Sequence, residues 1–384
     1  MIATRYLVVG GGMTGDAAVK GIREHDADGS IVLVGAEQHA PYARPPLTKQ
    51  LWSGGDEAMI WRGTDEAGAD LRLGRRIVSL DLDGRTARDD AGETYAWEKL
   101  LLATGGRPRT ITDGDGVVYF RTLDDYRAVR ARAREGARAV VVGGGFIGSE
   151  IAAALTVNGC RVTMIFPEAG IASRVLPDGL SAFVTEQYRS HGVEVLTGET
   201  VAAAHGESVV TGSGRTLEAD VVIAGLGILP EVDLATAAGL TVDNGIVVDE
   251  LGRVDGRDDV FAAGDVASFP VAALGRRFRV EHEDHAKSHG RTVGANMTGA
   301  NVAYDHLPFF YSDMFEQGYE AVGEVDSRLE TVETWEDPNR KGTIAYLDGD
   351  RRPRGFLYWN VWEKIDEGRK LIRAGAPFDG GVLV

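Results

Sequence analysis

Two short strings constrain this chain more than anything else in it. The first reads Leu7-Val-Val-Gly-Gly-Gly-Met-Thr-Gly15, an apolar run that stops on Gly10, Gly12 and Gly15. A run of that kind is a buried parallel strand turning sharply into a helix, the fingerprint that holds a dinucleotide pyrophosphate. Gly10 permits the tight turn, Gly12 removes the Cβ that would block the phosphates, and Gly15 lets helix and strand pack closely, with the phosphates at the positive helix end. One copy is a weak signal, because any glycine-rich turn can match it. The second copy, Val140 to Glu150, places Gly143, Gly145 and Gly148 at the same spacing after a similar Val run. Two fingerprints predict two dinucleotide sites, and the simplest pair is a flavin and a nicotinamide.

The parts around each fingerprint follow in order. A helix over about 14–24 and a strand over 30–35 lead to Glu37, at the roughly 20-residue distance where an acid meets a ribose hydroxyl. A solvated loop carboxylate is the plainer alternative. Pro41 to Lys49 carries three prolines and the cations Arg44 and Lys49, a stiff basic loop that suits the N1 and O2 edge of a flavin, or else an ordinary surface loop. Leu71 to Leu82 and Arg85 to Thr94 alternate like hairpin strands. Lys99 to Gly106 reads as a buried strand whose ending, Ala-Thr104-Gly-Gly, lets the backbone approach a ligand. After Arg121 and a helix over 123–134, the second unit repeats the plan: strand 139–142, helix to about 157, strand 161–166 and then Glu168. An acid there disfavours a 2′-phosphate and so favours NADH, while Arg174 keeps NADPH open. Glu150 lies in the first helical turn, where the helix dipole alone favours an acid. Strands over 220–227 and 260–265 end in Gly-Leu-Gly227 and Gly-Asp265, the latter suited to accept a ribityl hydroxyl. From Pro308 the pattern becomes strands over 318–325, 341–348 and 354–359 with a helix over 361–374. The expected partition is a FAD-binding domain of residues 1–114 and 243–304, an inserted NAD-binding domain of 115–242, and a C-terminal α+β domain of 305–384.

Composition narrows the function classes. With 384 residues and 43% apolar content, two or three soluble domains are expected. No run of about 18 apolar residues predicts a membrane span, and Met1 to Arg5 leads straight into the first strand, so the expected location is the cytoplasm. The net charge of −17 argues against nonspecific binding to nucleic acid or anionic lipid. Cys160 is the only cysteine, which removes CxxC redox chemistry and cysteine-ligated clusters. Electrons must therefore move through a bound cofactor.

The order of fingerprint, acid, Arg44-Pro-Pro-Leu-Thr-Lys49, Ala-Thr-Gly-Gly, fingerprint and Ala-Gly-Asp265 resembles the two-dinucleotide flavoprotein reductases of the ferredoxin-reductase type. Within them it is most similar to the apoptosis-inducing-factor group and its bacterial relatives, through Tyr42 to Lys49, Gly143 to Glu150, Phe166-Pro-Glu168, Val280 to Ala286, Asn296 to Gly299 and Gly318 to Gly323. The likeness runs from about Tyr6 to Ala374. An organelle-targeting segment is missing, and only a short connection, Trp335 to Lys341, stands where animal members carry a long insertion, which favours a bacterial oxidoreductase over a cell-death factor. The resemblance implies an α/β chain of two Rossmann-like domains in the glutathione-reductase-like arrangement plus the α+β domain. It implies FAD contacts at Gly12, Glu37, Arg44, Lys49, Ile77, Arg121, Asp265, His282 and Tyr311. For the nicotinamide it implies Phe146, Ile147, Glu168, Arg174, Gly227, Glu281, Glu320 and Asn360, and it pairs Lys49 with Glu150 beside flavin N5. The group usually has Trp where this chain has Tyr311 and a second His where it has Glu283.

The chemistry that follows is hydride transfer from nicotinamide C4 to flavin N5, which needs positioning and electrostatics more than a protein acid or base. Lys49 would stabilise the reduced flavin, Glu150 would fix the lysine, and Phe146 is either a movable aromatic or helix packing. His282 and His285 are flavin contacts, metal ligands or proton carriers, the first being preferred and no metal expected. Arg351, Arg352 and Arg354 beside Trp359 and Trp362 form a candidate basic patch for an acidic carrier. Three readings remain: an NADH-dependent reductase serving a ferredoxin, rubredoxin, cytochrome or quinone; an NAD(H) sensor with slow turnover; and a disulfide reductase or peroxidase using Cys160. A monomer or homodimer is expected.

Overall fold

The Val-rich runs ahead of the two fingerprints become central strands of two parallel sheets. The computed structural model describes residues 1–112 and 114–380, which cluster into two compact units. The first comprises Met1–Ala43, Glu57–Arg107 and Leu229–Pro308, and the second Arg44–Asp56, Pro108–Ile228 and Phe309–Val384. The basic loop after the first acid is thus divided, with Arg44 to Lys49 in the second unit.

In the first unit, Ile2–Val9 lies between Ile31–Gly35 and Thr94–Leu102, parallel to both. Its last four residues are all buried, as expected for a strand covered on both faces. Asp70–Leu73 extends the sheet in parallel beside Ile31–Gly35, and Val260–Ala262 pairs in parallel with Leu100 to Leu102. Thr86–Asp89 and Ile77–Asp81 add an antiparallel edge. The stretch Leu71 to Leu82, expected as one hairpin strand, is therefore two strands with different partners. Gly74 in the left-handed conformation breaks it, with φ of 64°. The helix Met13–Arg23 crosses Glu283–Met297 closely enough that a Cβ on Gly294 would lie 2.2 Å from the Ala18 carbonyl oxygen.

In the second unit the parallel order is Glu194–Thr197, Arg161–Phe166, Arg138–Val142, Val221–Ala224 and Val118–Tyr119. The same unit contains a five-stranded antiparallel sheet in the order Phe309–Met314, Gln317–Gly323, Pro353–Trp359, Lys341–Leu347 and Glu330–Asp337. The helix Ile365–Ala374 packs against its middle strands. Two of these strands were not anticipated, Phe309–Met314 and Glu330–Asp337; the expected short connection from Trp335 to Lys341 is narrower than that, a turn over 338–340 between the ends of two strands. Tyr319, Ile344, Tyr346, Phe356, Tyr358 and Trp359 are fully buried in this sheet. Those residues lie on the inner strands; the two missed strands are the edges of the sheet, where few residues are buried and no clear apolar alternation marks them. Among the described residues, no helix is long and apolar enough to cross a membrane.

Candidate functional site

Each fingerprint folds as its glycines require. Gly10 and Gly143 hold φ of 129° and 118°, conformations closed to other residues without strain. A Cβ on Gly10 would lie 2.1 Å from the Ala103 carbonyl oxygen, and one on Gly143 would lie 2.4 Å from that of Gly225. Gly15 and Gly148 serve helix–strand contact, because a Cβ on either would fall within 2.1 Å of the Gly10 or Gly143 carbonyl oxygen. The middle glycines differ in kind. A Cβ on Gly12 or Gly145 would meet nothing within 4 Å, so no protein packing demands glycine at either place. Both are helix N-caps without a side-chain hydrogen bond to the orphan N–H groups behind them. Room beside a helix start whose donors lack a protein cap fits a pyrophosphate at each fingerprint.

Around the first fingerprint, the first unit carries the expected flavin residues Gly10, Gly12, Gly15, Glu37, Ile77, Thr104, Asp265 and His282, and with them Glu281, expected on the nicotinamide side. Glu37 follows Ile31–Gly35 and accepts a hydrogen bond of 2.5 Å from the Tyr42 hydroxyl, which orients it. Thr104 donates to the Glu231 carbonyl at 2.7 Å. Asp265 follows Gly264, whose added Cβ would lie 2.1 Å from Thr14 Oγ1 on the fingerprint helix. Arg279 joins two of these positions, contacting Glu281 at 2.6 Å and the Asp265 carbonyl at 3.2 Å. His282 caps the helix Glu283–Met297. His285 and His289 are core residues: their rings lie 4.6 and 5.2 Å from Phe269, and burial pushes His289 down to about 3. Among the described residues no group of three or more His, Cys, Asp or Glu is placed to hold a metal.

The second unit carries Arg44, Lys49, Arg121 and Tyr311 from the flavin set, and Gly143, Gly145, Phe146, Ile147, Gly148, Glu168, Arg174, Gly227, Glu320 and Asn360 from the nicotinamide set. Arg44 donates to the Arg121 carbonyl at 2.8 Å. Glu168, after the strand Arg161–Phe166, is paired with Arg174 at 2.7 Å, and that arginine is 85% exposed. Ile147 is 39% exposed, and the Phe146 ring meets Phe310 edge-on at 5.5 Å. Glu320 accepts from the Glu363 N–H at 3.1 Å, and burial pushes its carboxyl up. Asn360 spends its side chain on local structure, accepting from the Gly318 N–H at 2.8 Å and donating to Gln317 Oε1 at 2.7 Å.

Lys49 and Glu150 form a buried polar centre of this unit. Their charged atoms are 2.6 Å apart, with side chains only 10% and 8% exposed. A pair this buried is costly to break from one side, about 3–5 kcal/mol, because the remaining charge stays desolvated. Sequence reading foresaw the pair but missed three side chains around it. Thr48 Oγ1 donates to Glu150 Oε2 at 2.6 Å, Ser312 Oγ donates to Oε1 at 2.7 Å, and Asp313 Oδ2 stands 3.6 Å from the lysine ammonium. The Tyr311 ring lies 5.3 Å from the same ammonium, within cation–π range. Thr48 was legible as the neighbour of Lys49; Ser312 and Asp313 follow only once Phe309–Met314 is known to be a strand.

Comparison with known proteins then decides the family. Residues 4–290 match the family described as pyridine nucleotide-disulphide oxidoreductase, and residues 293–344 match the C-terminal domain of apoptosis-inducing factor. The chain belongs to the pyridine nucleotide-disulphide oxidoreductase family. It is 37% identical to the ferredoxin–NAD(+) reductase component of the anthranilate 1,2-dioxygenase system of Burkholderia cepacia, over 99% of this chain and 96% of that protein. It is 33% identical to apoptosis-inducing factor 1 of Dictyostelium discoideum, over 96% and 78% respectively. The reductase in a covalent putidaredoxin reductase–putidaredoxin complex superimposes with a TM-score of 0.89 at 29% identity, covering 97% of this chain and 94% of that one. The chain is accordingly an FAD-containing, NAD(H)-dependent oxidoreductase.

Two of the earlier expectations change. Arg351 pairs with Glu330, Arg352 with Asp350 at 3.6 Å and Arg354 with Glu324 at 2.7 Å, so the candidate basic patch is neutralised by its own carboxylates. Cys160 is buried, and burial pushes its thiol up, the opposite of a poised nucleophile.

Proposed function

We propose that this reductase takes electrons from NADH and passes them one at a time to a small iron–sulfur carrier protein of the ferredoxin class. Bound FAD supplies the exchange between a hydride and single electrons. The supporting observation is the match over nearly the full length of both chains to a ferredoxin–NAD(+) reductase component. The fingerprint of residues 143–148 and Glu168 orient the dinucleotide on the nicotinamide side. The carboxylate of Glu168 disfavours a 2′-phosphate, so NADH is the preferred donor; Arg174 pairs with that carboxylate at 2.7 Å. Glu150 fixes Lys49, and Lys49 supplies the positive charge that favours a reduced flavin. The division into a FAD-binding part of 1–114 and 243–304, a NAD-binding part of 115–242 and a C-terminal part of 305–384 belongs to the same reading, as does a cytoplasmic location.

The match of residues 293–344 to the apoptosis-inducing-factor domain supports a second reading, an NAD(H) sensor with slow turnover. One experiment separates the two. The yellow holoprotein is reduced with NADH or NADPH in air, then offered ferredoxin, rubredoxin, cytochrome and quinone while reoxidation is followed. Rapid reoxidation by ferredoxin supports the reductase; a long-lived charge-transfer band that persists with every carrier supports the sensor.

A further inference from the structure

The carboxylate of Glu150 is held from three directions. Lys49 Nζ and Ser312 Oγ converge on Oε1 at 2.6 and 2.7 Å, and Thr48 Oγ1 reaches Oε2 at 2.6 Å. A carboxylate offers about four lone-pair sites; the two hydroxyls fill two of them, one on each oxygen, and the ammonium is drawn to Oε1 by charge. The two hydroxyls are not equivalent. Thr48 has a second acceptor, the Pro45 carbonyl at 3.3 Å, and sits on the same loop as Lys49, so it moves with the lysine. Ser312 comes from a different element, the strand Phe309–Met314, and is 1% exposed. Among the described residues it is the only hydrogen-bond donor to Glu150 from outside the helix Phe146–Val157 and the lysine's own loop. Its strand neighbours also face the ammonium, Asp313 at 3.6 Å and Tyr311 with its ring at 5.3 Å. Directly across the ladder from Ser312 stands Tyr319. Burial, and after it the charge of Glu150, holds that phenol well above its ordinary value, so it stays neutral beside the carboxylate.

We propose that Ser312 is a positioning residue for the reaction: its hydroxyl pins Glu150 Oε1 so that the carboxylate holds Lys49 in a single place. This rests on the reading of Lys49 given above. Among the described residues Lys49 Nζ has no hydrogen-bond acceptor of good geometry despite its burial, so its place is set by charge attraction to Glu150, which has little directionality. Charge attraction alone lets the ammonium follow the carboxylate wherever it rotates. Rotation about the last bond of a glutamate is soft, and a hydrogen bond from each side is what stops it. Thr48 stops it at one oxygen and Ser312 at the other. Removing the serine hydroxyl leaves a carboxylate tethered only to the loop that it is meant to fix.

The test compares Ser312→Ala with Ser312→Thr, which keeps the hydroxyl, in holoproteins matched for flavin content. The first readout is the carboxylate stretching band of Glu150 in infrared spectra with 13C-labelled glutamate, assigned by its loss in Glu150→Gln. Ser312→Ala shifts and broadens that band and Ser312→Thr restores it. The second is stopped-flow reduction by NADH: the limiting rate falls about tenfold in Ser312→Ala, half-saturation changes less than about twofold, and Ser312→Thr recovers the rate. An unshifted band overturns the hydrogen bond, and a shifted band with an unchanged limiting rate overturns the positioning role. Lys49→Ala is measured alongside. If it too reduces at the parent rate, the assignment of Lys49 is what fails; if it is slow while Ser312→Ala is fast, only the inference about Ser312 falls.

Discussion

The glycines of the two fingerprints do different work, and substitution separates it. A methyl group on Gly143 meets the Gly225 carbonyl at 2.4 Å in a conformation with φ of 118°, so Gly143→Ala costs about 2–4 kcal/mol of stability through overlap and backbone strain. Gly145 has no protein atom within 4 Å of that position. Gly145→Ala therefore unfolds within about 0.5 kcal/mol of the parent but binds NADH at least about tenfold more weakly, because its methyl group occupies the space of the phosphates. Calorimetry and titration with NADH check the two halves, and equal stability loss in both variants would refute the distinction. A second residue-scale outcome concerns Lys49. Lys49→Ala retains FAD, whose expected contacts are spread over many residues, but is reduced by NADH roughly 10–100-fold more slowly in stopped flow, as expected when one charged contact to the reacting group is lost. These roles were legible in sequence because glycine and lysine at fixed spacings have few alternatives. Thr48 was legible only as the neighbour of Lys49 and Ser312 not at all, because a hydroxyl carries no mark of its partner until the fold supplies one.

Among the elements, the strands ahead of each fingerprint end where they were expected to, since their apolar runs stop at glycine, although the first begins at Ile2, inside the stretch read as leading up to it. The C-terminal sheet was read less completely, its two edge strands Phe309–Met314 and Glu330–Asp337 being missed. The turn between Phe309–Met314 and Gln317–Gly323 shows what such a strand can attach to. Phe315 there takes a φ of 54° and stacks flat on His191 at 3.9 Å, and Tyr188 meets it edge-on at 4.9 Å. His191 caps the helix Asp178–Ser190, donates from Nδ1 to the Gln187 carbonyl at 2.8 Å, and faces Glu316 at 3.2 Å. The Gln187 carbonyl, and then Glu316, raise its protonation above the ordinary imidazole value. A raised folded value means that the contribution is fully present below about pH 6.5 and is lost as pH rises through that higher value. The ring is 29% exposed, so the gain stays below about 1 kcal/mol. Melting temperatures of the parent and of His191→Phe, which keeps the stack without the charge, converge as pH rises from about 6 to about 9. A difference that stays constant over that range would remove the ion pair from the account.

For the whole molecule the decisive quantity is charge. The chain carries 58 acidic and 41 basic residues, a net charge of −17, and the arginines that looked like a docking patch are paired with Glu330, Asp350 and Glu324. An acidic ferredoxin approaching such a surface meets a field of its own sign. Electrostatic steering, which speeds association when the fields are opposite and fades with salt, is then unavailable over most of the surface. Recognition must come from short-range contact, and screening helps it by weakening long-range repulsion. Carrier reduction measured by stopped flow should therefore hold steady or speed up as ionic strength rises from about 0.01 M to about 0.15 M, over which the Debye length falls from about 30 Å to about 8 Å. Charge reversal on the carrier gives the converse: exchanging surface carboxylates for lysines raises its rate at low salt and makes that rate fall with added salt. A parent rate that drops steeply over the same range would require an unpaired basic surface on this chain, and the role assigned to the paired arginines would have to be withdrawn.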